Sequence, residues 1–85
     1  MKFFLIAAHI LFLTAQNAFS QSFDKGFAAY MLGKYSQAII EWRHKASLGS
    51  ATAMANLGNM YEVGAGVKQD KVLAHQWYNL AASNG

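Results

Sequence analysis

Eighty-five residues, 54% of them apolar and 13% charged, suffice for one small domain. No cysteine is present, which excludes a disulfide framework, a thiol nucleophile and a thiolate metal site. A net charge of +3 is too weak for a nucleic-acid or anionic-membrane surface, which calls for a clustered basic face.

The chain begins with Lys2 and an apolar run from Phe3 to Leu13, broken only by His9, followed by a polar stretch from Thr14 to Ser20. Ala18 and Ser20 are small residues three and one before a cut. This is the layout of a secretory signal peptide, residues 1–20, cleaved after Ser20. The apolar run is far shorter than the roughly 20 residues needed to span a bilayer. Cleavage leaves Gln21 to Gly85, which keeps six basic and four acidic side chains and a net charge of +2. Stable membrane insertion after cleavage is not expected. An exported chain without disulfides points to a bacterial periplasm or exterior, so the expected location is periplasmic or secreted.

The rest reads as four helices. Phe23, Phe27, Tyr30 and Met31 form one stripe at 3.6 residues per turn and predict a helix over 23–32, capped by Ser22. Tyr35, Ala38, Ile39, Trp42 and Ala46 predict a second over 35–48. Met54, Leu57, Gly58 and Tyr61 predict a third over 51–63, capped by Ser50, and Ala74, Trp77, Tyr78, Ala81 and Ala82 a fourth over 70–83, capped by Asp70. Gly33, Gly49 and Gly64 each follow a stripe, where a left-handed C-terminal cap suits glycine. No window alternates as a strand would. Short connections make sequential helices antiparallel neighbours.

The chain also resembles itself. Ala38, Trp42, Ala46 and Gly49 superpose on Ala74, Tyr78, Ala82 and Gly85 at an offset of 36, and Tyr30 and Gly33 on Tyr61 and Gly64 at an offset of 31. Two helical hairpins of related design follow, the second with five extra residues between its helices. Within residues 51–85 stand Leu57-Gly58-x-x-Tyr61, then Gly64-x-Gly66-Val67-x-x-Asp70, then Ala74-x-x-Trp77-Tyr78-x-x-Ala81-Ala82-x-x-Gly85. This segment resembles the Sel-one-like repeat, a relative of the tetratricopeptide repeats. Residues 23–49 resemble a shorter, more tetratricopeptide-like unit, with Glu41 in place of the Trp and Lys45 in place of the first alanine of the pair. The expected organisation is a signal peptide at 1–20, a divergent tetratricopeptide-like hairpin at 21–49 and a Sel-one-like repeat at 50–85. The expected fold class is all-α: two antiparallel helical hairpins stacked as a short α/α solenoid. Small residues at Ala53, Gly58, Ala74 and Ala81 would let the helices approach closely, with Trp77 and Tyr78 filling the space between hairpins.

The loop "GAGVKQD", residues 64–70, raises the question of phosphate binding. A dinucleotide fingerprint wants a third glycine, where Gln69 stands, and a strand before the loop; a P-loop wants Gly-Lys-Ser/Thr. Neither is present. The structural reading has Gly64 capping the third helix, Gly66 taking a second unusual backbone angle, Val67 tucking under the hairpin and Asp70 capping the fourth helix.

Catalytic groupings do not appear. Arg43, His44 and Lys45 would spread around a helix as a solvated face. Glu41 and His44, three apart, read as a surface pair with nothing to orient a third group. No cofactor, metal site or catalytic residue is expected. The resemblance implies an exported scaffold that mediates protein–protein interaction without catalysis, through the face lined by the first helix of each hairpin. On that face Lys25, Thr52, Asn56, Asn59 and Glu62 would meet the partner, with the asparagine amides suited to an extended peptide backbone. The partner is expected to be a protein or peptide, not nucleic acid. The competing reading is a small hydrolase, or the non-catalytic N-terminal part of a larger enzyme. Ala81 and Ala82 suit the receipt of another helix, so the 70–85 helix is also expected to carry either further repeats or self-association.

Overall fold

The computed structural model describes residues 24–85, which form four α-helices and, among the described residues, no strand. They are α1 (Lys25–Met31), α2 (Tyr35–Ser47), α3 (Ala51–Val63) and α4 (Lys71–Asn84), each packed on its neighbour in sequence. The expected all-α fold of two hairpins is what the chain adopts. The expected signal peptide lies outside the described residues.

The start of α1 differs from the sequence reading. Its N-cap is Asp24, not Ser22, and Ser22 lies outside the described residues. Asp24 Oδ1 accepts from the backbone N–H of Gly26 at 2.8 Å and of Phe27 at 3.2 Å, satisfying two donors that a helix start leaves free. A carboxylate there also complements the positive end of the helix dipole. Ser50 accepts from Ala53 N–H at 3.1 Å and Asp70 from Leu73 N–H at 3.0 Å, as expected. Lys34, before α2, makes no side-chain cap.

The three capping glycines behave as expected, with φ of 75° at Gly33, 92° at Gly49 and 76° at Gly64. L-residues rarely adopt that region, so glycine avoids the steric cost.

The core lies mainly along the α2/α3 interface. Ala38, Ile39 and Trp42 of α2 meet Met54, Leu57 and Met60 of α3, all buried, with Leu57 and Met60 wholly so. Burying a leucine of this kind stabilises by about 1.5–3 kcal/mol. Ala38, Ala53 and Ala74 are also buried, and their small size lets neighbouring backbones approach. Arg43 of α2 donates to the hydroxyl of Tyr61 of α3, tying the first hairpin to the second.

The 64–70 loop is the other tie between hairpins. Gly66 takes φ 71° and lies so close to the first turn of α2 that a Cβ there would sit 2.8 Å from Tyr35 and 2.9 Å from the Ser36 nitrogen. Ala65 and Val67 pack against the core on either side of it. The extra residues of the second hairpin therefore reach back and brace the first.

Candidate protein-interaction face

Each hairpin positions its second helix by the same device. In the first, the indole of Trp42 lies over Gly26, where an added Cβ would meet the ring at 2.4 to 2.8 Å. Its Nε1–H donates to Asp24 Oδ2 at 3.3 Å. In the second, the ring of Tyr78 lies over Gly58, where a Cβ would meet it at 2.5 Å, and its hydroxyl donates to Glu62 Oε2 at 2.5 Å. A glycine on the first helix admits the ring and a carboxylate on the same helix holds the ring's polar tip. This corrects the expectation that Tyr78 fills the space between hairpins: it packs inside its own. Trp77 is half-buried against the core.

Asp24 and Tyr78 respond to these contacts. Partial burial pushes Asp24 up, but the Phe27 N–H, the Trp42 indole N–H, the Lys45 ammonium at 3.6 Å and the Gly26 N–H together hold it below the ordinary 3.8. Tyr78 is pushed up to about 12, first by its hydrogen bond to Glu62, then by burial and by the negative charge of that carboxylate. The basic triplet is thus less free than a solvated face would be. Arg43 and Lys45 are both engaged, while Glu41 accepts from Gln37 at 3.5 Å rather than pairing with His44.

The sequence-expected contact residues divide. Thr52, Asn56 and Asn59 fall at i, i+4 and i+7 on α3 and share one stripe. Thr52 and Asn59 are exposed and Asn56 is half-buried. Glu62 is exposed but turned toward α4, where it accepts from Tyr78, and so stands apart from the asparagine stripe. Lys25 is exposed in the first turn of α1, where the exposed Phe27 and Met31 give the helix an apolar side. Val63 extends the α3 stripe by one turn and is also exposed, at 61%. Phe27 and Met31, two members of the stripe legible in sequence, stand exposed because Gly26 and Ala29 are the positions of α1 turned inward.

Several of the loop's donors are spent within the fold. The N–H groups of Gly64 and Ala65 donate to the Met60 carbonyl and that of Asp70 to the Tyr61 carbonyl, while Gln69 Nε2 donates to the Glu62 carbonyl. These donors close the end of α3 and are not free to cradle a ligand. Between α3 and α4 lies an open hollow of about 460 Å³, lined by Glu62, Lys71, Val72, His75, Tyr78 and Asn79 among others. Among the described residues no group of three or more His, Asp or Glu side chains could hold a metal ion.

Residues 51–85 match the Sel1 repeat. The match covers α3, the braced loop and α4, the segment in which the repeat pattern was legible in sequence. Sel1 repeats are helical repeats, related to the tetratricopeptide class, that generally mediate protein–protein interaction. No curated protein and no solved structure matches the chain.

Proposed function

We propose that this protein is an exported helical-repeat scaffold that holds a protein or peptide partner on the α3 face bearing Thr52, Asn56 and Asn59, and performs no catalysis itself. The observation that carries the reading is the Sel1 repeat at 51–85, whose first helix presents this stripe free of any partner within the described hairpin. The asparagine amides each offer a donor and an acceptor, the pair an extended backbone needs. Lys25, exposed on α1, and Glu62, turned toward α4 at the end of α3, stand outside this stripe. Export is supported by the layout of residues 1–20, and no helix among the described residues is long and apolar enough to cross a membrane.

A photo-crosslinking side chain placed at Asn56 or Asn59 in the native cell is expected to trap a discrete protein adduct. One placed at Ser36, exposed on α2, is not. Equal labelling from all three positions would remove the assignment of the face. N-terminal sequencing of the exported form is expected to begin at Gln21; an intact Met1 on exported protein would contradict the export reading.

A further inference from the structure

On α2, the side that receives α3 is made by Ile39, Trp42, Arg43 and Ala46. Ile39, Trp42 and Ala46 are buried, and Arg43 donates to Tyr61 of α3. The 36-residue offset carries these four positions to His75, Tyr78, Asn79 and Ala82 of α4. There His75, Asn79 and Ala82 are exposed and Tyr78 is only half-buried. The same helix side is covered in one hairpin and, among the described residues, uncovered in the other. The hollow of about 460 Å³, lined by His75, Tyr78 and Asn79, lies along this side.

We propose that a second copy of this chain covers it, α4 lying antiparallel to α4 across a two-fold axis. Lys71, His75, Tyr78 and Ala82 fall at i, i+4, i+7 and i+11, a single contact stripe. The stripe is self-complementary about the midpoint between Gln76 and Trp77. A two-fold there sets Lys71 against the partner's Ala82, a long side chain over a small one, and His75 against the partner's Tyr78. The imidazole then stands beside the partner's Glu62, a carboxylate acceptor already fixed in place by its tyrosine. Charge favours the same arrangement. The first turn of α4 holds no acidic residue and the last turn no basic one. Lys71 stands in that first turn beside the capping carboxylate of Asp70, and the antiparallel pair places it beside the negative end of the partner helix as well. The exposed His75 replaces the buried Ile39, and Asn79 replaces Arg43, which is itself exposed, so the interface is wetter than the one it copies. One helix face also covers less than the roughly 800 Å² per partner of a standard complex, which makes the pair reversible. Because the contact is isologous it closes at two copies and builds no filament.

Sedimentation equilibrium of the full chain, and in parallel of the chain from Gln21, tests this between about 10 µM and 1 mM, the range suited to so small an interface. The mass is expected to rise toward twice that of the monomer and stop. Ala82→Lys, which sets a new lysine against the partner's Lys71, is expected to raise the midpoint at least about tenfold, like charges at contact being destabilising. Adding Lys71→Glu to Ala82→Lys is expected to restore it. Within one chain the two positions are about 16 Å apart along the helix and cannot compensate each other. Leu80→Lys, on the opposite side of α4, is expected to leave the midpoint unchanged. A monomer throughout, growth beyond two copies, association that needs residues 1–20, indifference to Ala82→Lys or failure of the charge swap to rescue would each overturn the proposal.

Discussion

The two hairpins solve the same packing problem and differ in how completely they solve it. Both lay an aromatic ring on a glycine and anchor the ring's polar tip to a carboxylate of the first helix. Trp42 is buried, with 3% of its surface exposed, because α3 closes over α2; Tyr78 stays half-exposed because nothing among the described residues closes over α4. The anchors sit at opposite ends. Asp24 precedes α1 and caps it as well as holding the indole, whereas Glu62 stands near the end of α3 and serves only the ring. The same local chemistry therefore yields a core in one hairpin and a surface in the other, and the difference comes from the neighbour, not from the device.

The comparison breaks most sharply at the rings. Trp42→Ala is expected to cost about 3–5 kcal/mol, the usual range for a large buried side chain. A chain this short buries only about 60% of its unfolded surface, so that loss should abolish a cooperative thermal transition. Tyr78→Ala should cost clearly less and leave a folded protein, measured by the same thermal melt. The glycines sharpen the point. Gly26→Ala must displace a buried indole and is expected to destabilise by about 1–3 kcal/mol as an overpacked site does. At Gly58→Ala the half-exposed ring can swing outward, so the helix-propensity gain of up to about 1 kcal/mol offsets more of the clash. Equal losses at the two glycines would mean that burial of the ring is not what separates the hairpins.

The brace between hairpins comes next. Gly66→Leu is expected to lower stability by about 1–3 kcal/mol, since the side chain meets both a left-handed backbone and the first turn of α2. Lys68, exposed in the same loop, should tolerate substitution almost without effect. Thermal stabilisation by a nucleotide that vanished with Lys68 would reverse the structural reading of the loop.

The smallest effects are those of pH, and the two anchors act at opposite ends of the scale. Asp24 is held below its ordinary 3.8, so its contribution is present above that value and is lost as pH falls through the lowered one. Tyr78 is raised from 10.0 to about 12, so its contribution is complete below pH 10 and is lost as pH rises toward 12. Denaturation followed across pH should show the acid limb softened by Asp24→Asn and the alkaline limb by Tyr78→Phe. An acid limb unchanged by Asp24→Asn would remove the clasp from the account.

Four helices, three left-handed glycine caps and the Ser50 and Asp70 caps were legible because each rests on local chemistry within a few residues. The first cap was missed because Ser22 and Asp24 both carry a side-chain oxygen that can accept from the free N–H groups of a helix start. What favours Asp24 is tertiary: Trp42 and Lys45, eighteen and twenty-one positions away, reach the same carboxylate. Gly26 was passed over for a related reason, as its role appears only when an indole from another helix rests on it. On the candidate face, the Thr52, Asn56 and Asn59 stripe followed from periodicity alone. The inward turn of Glu62 did not, because it depends on Tyr78 lying one helix away.

Native-state hydrogen exchange tests the central contrast most directly, since it reads the opening energy of each helix separately. The account predicts the slowest exchange at the buried centre of α2 and α3, around Ile39, Trp42, Leu57 and Met60, with α4 opening at lower energy in dilute protein. Protection in α4 equal to or greater than that of α2 in dilute monomer would contradict it.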